Sequence, residues 1–121
     1  MYLKIKGCLK SNENNYSFES NGNINNNIIE FNDNDVLVEI DLDNNKMVRK
    51  TSEYVLNFIF KKDQKTINSL ILKDINQSID MDLYTVDIIN INGYFYVNYE
   101  LNDDELFEFE LRYEGDDNEY N

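Results

Sequence analysis

The sequence predicts an all-β fold, an antiparallel up-and-down β-barrel of about eight strands, and three observations lead to it. Residues 93–114 read as two alternating arms, GYFYVNYEL and LFEFELRYE, around the polar turn NDDE. In the second arm Phe107, Phe109, Leu111 and Tyr113 oppose Glu108, Glu110, Arg112 and Glu114, a period of two that suits a half-buried strand and no helix. Phe95, Val97, Tyr99 and Leu101 repeat the pattern in the first arm, so the hairpin presents a wide apolar face that more sheet must cover. Similar alternating segments recur at short spacing between brief Asn- and Asp-rich turns, the signature of an antiparallel meander. Finally, the apolar side runs through Ile79, Met81 and Leu83 and then flips to Tyr84, Val86 and Ile88. A flip of that kind signals a β-bulge, and bulges bend a sheet toward closure.

Taken from the N-terminus, residues 2–10 alternate Leu3, Ile5, Gly7 and Leu9 against Lys4, Lys6, Cys8 and Lys10, a first strand with a basic outer face. Residues 16–20 form a short strand, followed by a turn at Asn21-Gly22-Asn23 and another short strand over 28–31. After a turn at Asp33-Asn34-Asp35, Val36, Val38, Ile40 and Leu42 share one face. Asp43, Asn44 and Asn45 then turn the chain into 46–50, and 54–61 place Tyr54, Leu56, Phe58 and Phe60 together. Residues 65–75 fit both a strand and the helical spacing of Ile67, Leu70, Ile71 and Ile75, with strand preferred. The first strand is expected to close the barrel against the last, because Lys4, Lys6 and Lys10 on one outer face complement Glu108, Glu110 and Glu114 on the other.

The chain of 121 residues suits one domain. Residues 1–115 are expected to form the barrel and 116–121 an acidic, disordered tail. A net charge of -13 weighs against nucleic acid, which needs a clustered cationic footprint. Such acidity often serves solubility, and it would also suit a basic protein partner. The single cysteine, Cys8, cannot form an internal disulfide, and no segment has the character of a signal peptide or membrane span. The expectation is a cytoplasmic protein with no membrane association.

Candidate chemistry is sparse. Asp41 with Asp43, and Asp80 with Asp82, stand about 7 Å apart on one strand face, a separation compatible with paired carboxylates for hydrolysis. They alternate with apolar residues on the outer face, where solvation leaves their acidity ordinary. The Asp/Asn runs lack the glycine and glutamate of a calcium loop. With no histidine there is no zinc set of the common kinds and no Ser-His-Asp triad, and Cys8 has no activating partner. The reading is therefore not an enzyme, with no catalytic residue, no metal and no cofactor. Of the two arginines, Arg112 lies on the polar face and reads as a surface ion pair. Arg49 reads either as a surface partner for one of the many carboxylates, the commoner case, or as an anchor for a ligand carboxylate at the rim of an aromatic barrel.

With the strands laid out, LKIKG at the start, KMVRK, YVLNFIF, GYFYVNYEL and the closing FEFELRYEG make the chain resemble the YwiB-like family of bacterial proteins, a domain of unknown function. The ending L-x-Y-E-G and Arg49 after a short turn carry most of that resemblance, which spans nearly the whole chain. It implies a calycin-like, lipocalin-like β-barrel and no established activity. The chain departs from the family pattern in having no His before the last strand, a short second hairpin, and Ser78 where glycine is usual. The functional expectation is one small, partly apolar ligand in the barrel, with Arg49, Tyr54, Phe58, Tyr99 and Tyr113 as ligand-binding residues. The alternative is an acidic protein-interaction module, including an inhibitor or nucleic-acid mimic, with no small-molecule ligand.

Overall fold

Asparagine and aspartate decide where this chain turns. The computed structural model describes residues 1–115, so the segment 116–121, and with it the expected disordered tail, lies outside the described residues. Among the described residues every non-glycine position with positive φ is Asn or Asp: Asn26, Asn27, Asn34, Asn45, Asp63, Asn76, Asn102 and Asp103. Their short polar side chains tolerate the left-handed backbone that tight turns demand. Between these turns run β1 (Tyr2–Ser11), β2 (Asn15–Asn25), β3 (Ile28–Asp33), β4 (Val36–Asp41), β5 (Lys46–Lys50), β6 (Tyr54–Ile59), β7 (Lys65–Leu72), β8 (Gln77–Ile91), β9 (Tyr94–Leu101) and β10 (Glu105–Gly115). Each pairs antiparallel with its sequence neighbours, and β1 pairs with β10, so the sheet is a closed up-and-down barrel.

The barrel has ten strands where the sequence predicted about eight. Segments as short as β5, five residues long, are full staves, because β5 pairs with β4 on one side and β6 on the other. The turn expected at Asn21-Gly22-Asn23 lies inside β2, and the chain reverses instead at Asn26-Asn27, where both φ angles are positive as a two-residue hairpin requires. Gly22 answers to a close approach. A Cβ there would lie 2.4 Å from the Glu30 carbonyl oxygen and 2.9 Å from Ile5 Cδ1 and from Phe31 Cβ. Gly7 faces Phe18 across β1 and β2, and the Phe18 ring fills the space its missing side chain leaves.

Strand β8 is fifteen residues long: its first half pairs with β7 and its second with β9. The register against β9 shifts between Thr85 and Asp87, the bulge expected near Tyr84. Thr85, rather than Tyr84 or Val86, faces inward. Its backbone and hydroxyl hold the β6–β7 loop through Asp63 N, Gln64 O and Lys61 N, at 2.8, 3.2 and 3.1 Å. Residues 65–72 are strand rather than helix, with Ile67 66% exposed and Asn68 2% exposed. Thr66 Oγ1 donates to the Ile59 carbonyl at 2.7 Å, and Asn68 Oδ1 accepts from Ile59 N. These side chains satisfy strand groups where the β6–β7 ladder has ended.

The inner wall carries the core: Leu3, Ile5, Ile29, Phe31, Val38, Ile40, Met47, Leu83, Val97 and Leu111 with a set of packed rings. Phe60 lies 5.8 Å from Phe58, 5.4 Å from Tyr99 and 6.4 Å from Phe95, and Phe95 lies 6.4 Å from Phe109, so aromatic contacts run across the lumen. On the outer wall Tyr94 and Tyr96 donate to Glu110 and Glu108 at 3.1 and 2.8 Å. Burial, then the Glu108 bond, pushes the Tyr96 phenol up to about 12. No helix among the described residues is long and apolar enough to cross a membrane.

Candidate functional site

Since every strand reverses direction, the turns divide between two ends, and the ends are built differently. At the end holding the β2–β3, β4–β5 and β8–β9 turns, bonds cross the barrel. Asn90 Nδ2 of β8 donates to the Leu42 carbonyl and to Asn45 Oδ1, both at 2.8 Å, although β4 and β8 stand four places apart in the ring. Asn27 ties in beside them, its carbonyl accepting from Leu42 N at 2.9 Å and its amide donating to Asp43 Oδ1 at 2.9 Å. At the opposite end the bonds follow the rim. Tyr16 Oη donates to Asp33 Oδ1 at 2.7 Å and accepts from Asn34 Nδ2 at 3.2 Å, and Lys73 N donates to the Glu53 carbonyl at 2.9 Å. A hollow of about 360 Å³ lies at the first end among Ile24, Leu42, Asn90 and Tyr113; the second end, where no such bond crosses among the described residues, is taken as the mouth.

Arg49 stands on the inner wall of the mouth. It lies two residues after buried Met47, and its cross-strand neighbours Val38 and Leu56 both belong to the core packing, so alternation turns its side chain inward. It is half-buried and makes no hydrogen bond or ion pair among the described residues. Tyr99 is 3% exposed, with its ring 5.8 Å from Phe58 and 5.3 Å from Phe107, and its hydroxyl likewise has no hydrogen-bond partner among the described residues. Burial pushes the Tyr99 phenol upward, while the Arg49 charge pulls it down and the Glu105 charge raises it. Tyr16 is raised chiefly by its bond to Asp33, again opposed by Arg49. Around these groups Leu9, Val36, Leu56, Leu101 and Phe107 are partly buried apolar residues of the same wall.

Three of the five residues singled out in the sequence therefore belong to the mouth half of the barrel. Arg49, Tyr54 and Tyr99 line the mouth side, and buried Phe58 lies beneath Tyr99. Tyr113 does not join them: it sits at the tied end, its hydroxyl 3.4 Å from the Ile91 carbonyl it donates to. Tyr16, Asp33 and Asn34 are mouth residues that periodicity did not mark, since only the rim brings β2 beside the β3–β4 turn.

Elsewhere the polar groups serve the walls. Arg112 on the outer face pairs its Nε with Glu110 at 3.1 Å and lies 4.9 Å over the Tyr94 ring. A groove of about 760 Å³ crosses β2, β1 and β10 past Lys4, Lys6, Glu19, Arg112 and Glu114, a mixed and exposed set of charges. Cys8 accepts from Ser17 Oγ at 3.8 Å. Asp41 caps the β4–β5 turn, accepting from the backbone N of Asp43 and Asn44 at 3.1 and 3.2 Å and from Asn44 Nδ2 at 2.8 Å. The Asn44 side chain above all holds the Asp41 carboxyl below its usual range. No group of three or more His, Cys, Asp or Glu suited to a metal occurs among the described residues.

In class, this is a ten-stranded up-and-down antiparallel barrel, tied across one end and, among the described residues, bonded only along the rim at the other. The chain is similar to the crystal structure of ywiB protein from Bacillus subtilis, with a TM-score of 0.59 over 95% of this chain and 90% of that one, at 14% sequence identity. A likeness at that identity is one of fold, and it supports the YwiB-like architecture that the sequence motifs implied. No protein-family model matches the chain. No curated protein matches it either.

Proposed function

We propose that the protein binds one small, partly apolar molecule at the mouth of the barrel and performs no catalysis on it. The observation that carries this reading is Arg49, a half-buried cation without a protein partner, inside a ring of partly buried apolar side chains. Holding a guanidinium in partly desolvated surroundings without a counter-charge costs free energy, and a bound ligand would recover it. The packed rings leave the deep lumen to side chains, so the ligand lies across Leu56, Leu101 and Phe107 rather than along the barrel axis. In this use the barrel is lipocalin-like, one ligand held where the staves open.

Native mass spectrometry of the protein purified from its own host tests the reading. A retained small molecule that leaves on collisional activation is the expected result. Bare protein, together with no saturable binding of small aromatic probes, would overturn it. The net charge of -13 favours a second reading, an acidic module that docks a basic protein. Its mark would be a co-purified basic partner released by salt.

A further inference from the structure

Resting on that reading, we infer that the ligand of the mouth is a monocarboxylic acid with an apolar body, its carboxylate gripped by Arg49. Arg49 is a donor on the inner wall, half-buried and without an acceptor among the described residues. Arg49 presents a planar fork that matches a carboxylate through two parallel charge-assisted bonds. A neutral ligand would leave the guanidinium charge uncompensated, and a cation would be repelled by it.

The rest of the rim limits the ligand to one negative charge. Asp33 bonds Tyr16 at the same end, and Glu105 opens β10 there opposite Leu101, so a dianionic phosphate would meet two carboxylates with one arginine to hold it. The neighbouring lysines are engaged elsewhere: Lys50 pairs with Glu39 at 3.2 Å on the outer wall, and Lys73 Nζ donates to the Thr51 carbonyl at 2.7 Å. The apolar body follows from Leu56, Leu101 and Phe107, each partly buried and packed against the core.

Isothermal titration calorimetry with 2-naphthoate, the neutral 2-naphthalenemethanol and the dianionic 2-naphthyl phosphate separates the cases. The wild-type protein should bind 2-naphthoate about tenfold tighter than the alcohol, the scale of a charge-assisted pair, and tighter than the phosphate. Arg49→Gln should remove the preference for the acid while leaving the alcohol within about twofold, and Arg49→Lys should keep part of it. Near-UV circular dichroism of the tyrosines checks that the variants are folded, and the three-probe ranking on the wild type needs no variant. Alcohol bound as tightly as acid, phosphate bound most tightly, or acid binding indifferent to Arg49→Gln would overturn the carboxylate inference and leave a ligand at the mouth standing. Failure of all three probes to bind would overturn the carboxylate inference, and together with bare protein from the host it would overturn the ligand reading as well.

Discussion

Asp41 uses its charge for a turn, and Arg49 keeps its charge unspent. Both sit on strands whose alternation is plain in the sequence, yet alternation tells only which wall a side chain faces. Asp41, four residues before Asn45, closes three hydrogen bonds over the β4–β5 turn, which explains its lowered pKa without any catalytic role. Asp41→Ala should cost about 1 kcal/mol at neutral pH, read by urea unfolding, while Asp41→Asn keeps the acceptor oxygen and should cost less. The sign of the pH effect follows from a depressed folded pKa. The charge-dependent part of the stabilisation is complete above the unfolded value near 3.8 and disappears as pH falls through the lower folded value. The gap between wild type and Asp41→Ala should therefore narrow in acid; a gap that stays constant would mean that the carboxylate charge contributes nothing to the turn.

At the scale of strands, the seam between β1 and β10 joins the two ends of the described chain, and its register corrects the charge argument that predicted it. Lys4 faces Glu114 and Lys10 faces Glu108, but Lys6 faces Arg112 and Glu110 faces Cys8. Complementary charge therefore supports two positions, and one position juxtaposes like charges, so the buried rows Leu3, Ile5 and Leu111 hold the seam. Lys4→Glu and Glu114→Lys should each destabilise by a few tenths of a kcal/mol, up to about 1, and the double reversal should recover part of that loss. Lys4→Glu with Glu110→Lys should show plain additivity; coupling there instead would contradict the register. Alternation made β1, β4, β6, β9 and β10 legible because each buries one face only. Gly22 was not, since a glycine between asparagines reads as a turn until Glu30 and Phe31 are seen against it. Nor was β8's inward Thr85, a polar residue whose partners come from the β6–β7 loop. The end of the barrel at which Tyr113 stands was not legible for a related reason. Its face follows from parity, but its end follows from the number of reversals, and short β5 and the misplaced second turn blur that number.

For the whole barrel the consequence is a molecule with one firm end and one yielding end. An up-and-down ring has no crossover connection to brace it, so its ends depend on what the turns do to one another. Asn90, reaching across to Leu42 and Asn45, joins staves that the ladder connects only through β5, β6 and β7. At the mouth, Tyr16 with Asp33 and Lys73 with Glu53 link neighbours along the rim and leave the lumen uncrossed. Local opening should therefore begin at the mouth, and the tied end should keep the register while it does so. Asn90→Ala should reverse that order. Native-state amide exchange should quicken at Asn45 and Phe60, whose amides lie beside the lost bonds, and global stability should fall by about 1 kcal/mol. The amides of Tyr16 and Phe18 near the mouth should exchange as before. Faster exchange at the mouth with the tied end unchanged would show that the crossing bonds do not hold that end closed.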